Sequence, residues 1–128
     1  MKILYIGAAV IAALFVLKII LQIIVVKKAK KNVGAKLSDL LPDFRGKDFF
    51  LYLYSPTCTP CVRLTPKIKD LISKGVKGRM IDLSQNIEIA KKLGIMATPS
   101  VVIVKDGYVK DVLMGLINPE DIEKYFNQ

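Results

Sequence analysis

Twenty-four residues from Ile3 to Val26 read ILYIGAAVIAALFVLKIILQIIVV, broken only by Lys18 and Gln22. As a helix rising about 1.5 Å per residue, this run is roughly 36 Å long, enough to cross a bilayer's hydrocarbon core with some tilt. It therefore predicts one N-terminal transmembrane helix. Lys2 before apolar Ile3 to Leu17 also has the layout of a cleaved signal. The next residues are Lys18-Ile-Ile-Leu-Gln-Ile-Ile-Val-Val, with no small-x-small cleavage site and no lipid-modifiable cysteine, so the segment is expected to stay attached. Lys18 lies close enough to the lysine cluster beyond Val26 for its long stem to reach toward that interface.

The formal charge of +9 changes meaning when it is divided along the chain. Residues 1–38 hold seven lysines and no acid, whereas residues 39–128 hold thirteen basic and eleven acidic side chains. The remainder is nearly balanced, which argues against a nucleic-acid partner. Lys27, Lys28, Lys30, Lys31 and Lys36 outnumber Lys2 on the other side of the span. By the positive-inside rule the chain after the span is expected in the cytoplasm, with extracytoplasmic placement the open alternative. Residues 3–31 are expected to contact lipid, the lysines facing anionic headgroups.

With no histidine in the chain, Ser-His-Asp and Cys-His nucleophile pairs and histidine-containing metal sites are excluded. Two cysteines, Cys58 and Cys61, cannot supply a four-thiolate zinc site within one chain, nor staple a disulfide-rich miniprotein. The chain divides into a transmembrane helix with its basic flank (1–31), a tether (32–47) with one short helical turn near Ser38 to Leu41, and a domain (48–128). In the domain, Phe49 to Tyr54 is a continuous apolar and aromatic run that predicts a strand buried on both faces and ended by Ser55-Pro56. Pro60 suits a first helical turn; Cys61, Leu64, Ile68, Leu71 and Ile72 recur at helical spacing until Gly75 and Gly78 stop the helix. A strand near Met80 to Leu83, a helix from Asn86 to Leu93 capped by Gly94, a strand from Ser100 to Val104, an Asp106-Gly107 turn into Tyr108 to Met114, and a last helix from Asn118-Pro119 to about Phe126 complete the order. This order predicts an α/β domain with one mixed sheet flanked by helices.

Cys58-Thr59-Pro60-Cys61 falls between the buried strand and the helix. The spacing brings the two Cα atoms within reach of a disulfide that opens and closes without backbone rearrangement. Cys58 precedes the first turn, where unpaired N–H groups and the helix dipole favour a thiolate, while Cys61 shares the apolar face of Leu64 and Ile68. Cys58 would thus attack a substrate disulfide and Cys61 would resolve the mixed disulfide. A local inert disulfide and a zinc-bridged dimer built from two such pairs are the competing readings.

Residues 38–128 resemble the thioredoxin superfamily. The resemblance rests on Cys58-Thr59-Pro60-Cys61, on Pro66 eight residues after Cys58, on Thr98-Pro99, and on Gly107 and Gly115 eight and sixteen residues after Pro99. It implies a thioredoxin-like fold and protein thiol-disulfide exchange through Cys58 and Cys61. It also implies a cis Pro99 whose loop offers the Thr98 backbone to substrate, a substrate-facing surface including Thr57, Thr59 and Pro60, protein thiols and disulfides as partners, and a reductase or other thiol electron donor. No cofactor or metal is implied. Two positions depart from the family: Thr57 stands where tryptophan is usual, and Tyr52 where a buried aspartate is usual. These departures keep a redox-inactive adaptor of the same fold, binding a membrane-proximal partner, as the alternative.

Overall fold

A computed structural model describes residues 1–127. Helix α1 (Lys2–Lys30) is followed by a short α2 (Leu37–Leu40), then β1 (Phe49–Tyr54), α3 (Thr59–Ser73), β2 (Gly78–Asp82), α4 (Ile87–Leu93), β3 (Ser100–Lys105), β4 (Tyr108–Met114) and α5 (Pro119–Glu123). The sheet order is β2-β1-β3-β4, with β1 parallel to β2 and antiparallel to β3, and β3 antiparallel to β4. This is the mixed sheet that the element order predicts.

Because successive strand side chains point to opposite faces, β1 feeds two cores. Phe50 and Tyr52 face α3 and α5, meeting Leu64, Ile68, Val101 and Ile122. Leu51 and Leu53 face the other layer, where Ala29, Leu37, Leu41, Leu93 and Val102 pack. All of β1 except Tyr54 is buried, which is why its sequence shows no polar alternation.

Four elements depart from the sequence expectation, each for a local reason. Strand β2 begins at Gly78, two residues early, because that glycine lies in register opposite Phe50 and any Cβ there would overlap the Phe50 ring. Helix α3 ends at Ser73, so Gly75, with φ 101°, alone turns the chain away. Helix α5 stops at Glu123, after which Tyr125 bonds Asp111 and Phe126 packs its ring 6.1 Å from that of Phe50. Residues 32–47 do contain the short helical turn, but Leu37 and Leu41 enter the core and Lys36 forms a bridge to Tyr108. The expected helix cap at Gly94 is present, with φ 70°.

Helix α1 is continuous to Lys30, and its apolar residues from Ile3 to Val26 are exposed almost throughout. Its last turns and the residues just beyond them join the domain. Ala29 is fully buried, Asn32 Nδ2 donates to the Leu93 carbonyl at 2.9 Å, and Lys30 Nζ lies 3.7 Å from Asp111 Oδ1.

Asp111 also accepts from the Val112 amide at 2.8 Å and from the Tyr125 hydroxyl at 2.7 Å. The bond to Asp111, then burial, pushes the Tyr125 phenol up to about 12. Stability from this raised value is fully present below the ordinary tyrosine value of about 10 and is lost as pH rises through the folded value. Tyr125→Phe is expected to lower stability near neutrality by about 1 kcal/mol and to flatten the alkaline loss seen in the native chain. Urea melts at several alkaline pH values check it, parallel curves for both proteins counting against the bond.

Candidate active site

At the carboxyl end of β1, Ser55 and Pro56 break the strand, and the Cys58 amide bonds the Ser55 carbonyl at 3.1 Å. Ser55 Oγ and Thr57 Oγ1 lie 3.0 Å apart on the same turn. Cys58 takes the N-cap position with extended backbone (φ −87°, ψ 112°), and Thr59 and Pro60 form the first helical residues. Pro60 costs nothing there, because an amide in the first turn has no intrahelical partner.

The two cysteines are joined as a disulfide, their Cα atoms 5.2 Å apart. Their environments differ. Cys61 is 1% exposed on the face of α3 that carries Leu64 and Ile68, whereas Cys58 is partly exposed. Cys58 Sγ accepts the Cys61 amide at 3.3 Å, one of the helix-start donors that otherwise lack a partner. A hydrogen bond and a helix dipole directed at that sulfur favour its anionic form once the disulfide is opened.

Thr65, one turn after Cys61, donates from Oγ1 to the Cys61 carbonyl at 2.7 Å. Tyr52, fully buried on β1, places its hydroxyl 3.1 Å from the same carbonyl and 2.9 Å from Thr65 Oγ1. Burial, partly offset by the Thr65 bond, raises the Tyr52 phenol above its ordinary value, so it stays protonated and acts here as a neutral donor. Thr65 is absent from the sequence reading. Its signal is the four-residue spacing from Cys61, at which threonine can bond back to a helix carbonyl. Tyr52→Phe is expected to cost about 1 kcal/mol in chemical denaturation. It should leave the pH dependence of disulfide exchange unchanged between about pH 6 and 9, well below where a tyrosine ionises. A displaced pH profile would show the phenol moving protons.

Strand register assembles the rest. Leu53 pairs with Ser100, Ser100 with Met114, and Tyr54 with Asp82, so the cysteine turn, the loop before β3 and Gly115 share one end of the sheet. The Thr98–Pro99 bond is cis, Pro99 is buried and Thr98 partly exposed. Ser100 Oγ closes this loop by donating to the Ala97 carbonyl at 2.6 Å. Thr57, Thr59 and Pro60 are exposed beside Cys58 in the chain. All seven candidate residues therefore lie at one end of the sheet.

A family model described as Thioredoxin matches residues 24–128. The chain belongs to the thioredoxin family. It is 28% identical to thioredoxin of Bacillus subtilis over 109 residues, covering 81% of this chain and 96% of that one. Thioredoxin of Rickettsia bellii is 39% identical over 74 residues, covering 55% of this chain and 70% of the relative. Among solved structures, Fasciola hepatica thioredoxin superposes with a TM-score of 0.59 at 27% identity, over 71% of this chain and 88% of that chain. With its CxxC pair, the protein is a thiol-disulfide oxidoreductase. Membership of the family implies protein thiols and disulfides as substrates and a reductant as electron donor.

Proposed function

We propose that this protein is a membrane-tethered protein disulfide reductase in which Cys58 is the nucleophile and Cys61 the resolving thiol. The observation that carries the roles is the difference between the sulfurs: Cys58, at the N-cap, is partly exposed and receives an amide hydrogen bond, while Cys61 is buried. In the reduced protein the Cys58 thiolate attacks one sulfur of a substrate disulfide. A Cys58–substrate disulfide forms and the other substrate sulfur leaves as thiolate, taking a proton from solvent. Cys61 then loses its proton and attacks Cys58 Sγ, releasing the second substrate thiol and forming the Cys58–Cys61 disulfide. Two electrons have passed to the substrate, and a dithiol donor restores them by the reverse exchange. Thr57, Thr59, Pro60, Thr98 and Pro99 form the surface against which a substrate strand lies, the Thr98 backbone offering hydrogen bonds to it.

In this reading residues 1–31 are the anchor with its basic flank, 32–47 the connection, whose Leu37 and Leu41 complete the domain's core, and 48–128 the redox domain. The exposed apolar surface of α1, which water would not tolerate on a free helix, supports the anchor. The lysines at 27–31 support a cytoplasmic domain, where the low ambient potential favours reduction of clients.

Insulin reduction by the full chain in detergent, with dithiothreitol as donor, tests the chemistry. Acceleration well above the uncatalysed rate is expected, and a rate equal to that of Cys58→Ser would overturn it. Alkaline carbonate extraction tests the anchor, release of the protein counting against it. An impermeant maleimide tests the side: Cys58 should be labelled only after cells are opened, and labelling in intact cells would place the domain outside.

A further inference from the structure

The domain is fixed to α1 in a definite orientation. Gly34 N donates to the Val109 carbonyl at 2.7 Å and Val109 N to the Ala35 carbonyl at 2.9 Å. Lys30 meets Asp111, and Val26 borders one cleft with Met114 and Leu116. Reading β4 from Tyr108 to Met114, its neighbours run backward along the chain, from Lys36 through Lys30 to Val26. The end of the sheet that carries the cysteine turn and the Thr98–Pro99 loop is thus the end directed toward the apolar run. Beyond it, Ala97, Met114 and Gly115 form one wall of a groove of about 600 Å³ whose other wall is α1, including Leu17, Lys18 and Gln22. The attachment is close: a Cβ on Gly94 would stand 3.0 Å from the Lys28 carbonyl oxygen, and Ala29 is fully buried.

Apolar side chains are exposed at this same end. Leu116 is 100% exposed and Met96 64%, with Leu116 on the cleft that Val26, the last residue of the apolar run, also borders. With that run in the bilayer, Leu116 sits beside Val26 at the boundary between hydrocarbon and headgroups, and the wall of Ala97, Met114 and Gly115, which faces α1 as far as Leu14 and Lys18, dips below it. A bare leucine is stabilised there, and the exposed Lys27, Lys28 and Lys31 meet anionic lipid. Cys58 follows β1, two strands from β4, so it is set off sideways by roughly 10 Å while remaining at the same end.

We propose that the redox end of this domain rests on the bilayer interface, so that its dithiol serves disulfides held at the membrane surface by membrane-inserted proteins. The proposal rests on the anchor reading and adds an orientation to it. The occupant of the exposed Leu116 and Met96 surface is lipid.

The chain has no tryptophan, so single tryptophans report depth in vesicles containing acidic and bromine-substituted lipids. Phe15→Trp tests the anchor itself. Leu116→Trp is expected to be quenched at least twofold more than Lys77→Trp, which lies at the opposite end of β1 and β2. Quenching of Phe15→Trp with Leu116→Trp matching Lys77→Trp would overturn the orientation and leave the anchor intact, whether the surface is bare or covered by a partner protein. An unquenched Phe15→Trp would overturn both. A second measurement reads the substrate class. Turnover of a disulfide placed next to the apolar end of a transmembrane peptide should exceed that of the same disulfide on a long flexible stalk about tenfold. Equal rates, or faster reaction on the stalk, would refute it.

Discussion

Cys58→Ser is expected to abolish disulfide exchange, while Cys61→Ser should complete the first half of the reaction and stop. A serine hydroxyl supplies no thiolate, so loss of the attacking sulfur should reduce turnover by about three orders of magnitude or more. Serine at Cys61 leaves Cys58 at its N-cap with its amide bond available from residue 61, because that donor belongs to the backbone. The variant should accumulate as a mixed disulfide with its client. Capture from cells under non-reducing conditions with subsequent mass analysis is the measurement. Efficient trapping by Cys58→Ser and none by Cys61→Ser would reverse the assigned roles. In the reduced native protein, iodoacetamide should label Cys58 well before Cys61, since one sulfur is partly exposed and the other is 1% exposed.

Gly78→Ala should be the most disruptive single-methyl change in the fold. Gly78 stands in register opposite Phe50, and its Cβ would enter the Phe50 ring, which is fully buried and packed near Phe126. A buried aromatic ring cannot swing aside cheaply, and overpacking of this kind costs about 1–3 kcal/mol. For a domain of this size that is a fall in melting temperature of about 4–8 °C per kcal/mol. Phe50→Leu alone leaves a void and is also destabilising. Combined with Gly78→Ala it should be less harmful than the sum, with a coupling of about 0.5–3 kcal/mol in a double-mutant cycle. Additive losses, or a neutral Gly78→Ala, would show that β2 can slide away from the ring.

The cysteine site was legible because its decisive features are local: a strand ended by Ser55-Pro56, an N-cap cysteine and Pro60 in the first turn lie within a few residues. The relation of that turn to Thr98 and Pro99, forty residues on, depends on the pairing of Leu53 with Ser100, which periodicity does not specify. Family resemblance reaches it, and the register supplies the spatial reason. Glycine shows why boundaries are harder. Gly75 and Gly94 turn the chain with positive φ, whereas Gly78 is a strand residue required by a ring on the neighbouring strand. The same residue type serves two physical purposes, and only packing distinguishes them. The bond from Tyr52 to Thr65 joins a strand to a helix and leaves no mark in either pattern. Leu37 and Leu41 lie among polar residues, Pro42 and Gly46, so their destination in the core cannot be read from their neighbours.

The burial of Ala29, Leu37 and Leu41 bears on how a water-soluble version should be cut. A fragment starting at Asp48 would remove three plugs from one hydrophobic layer and strip the Gly34–Val109 pairing from the edge of β4. It would expose a sticky strand margin and invite aggregation. Starting at Lys27 discards the lipid-soluble run while retaining every one of those pieces, so the natural place to sever this protein lies inside its longest helix.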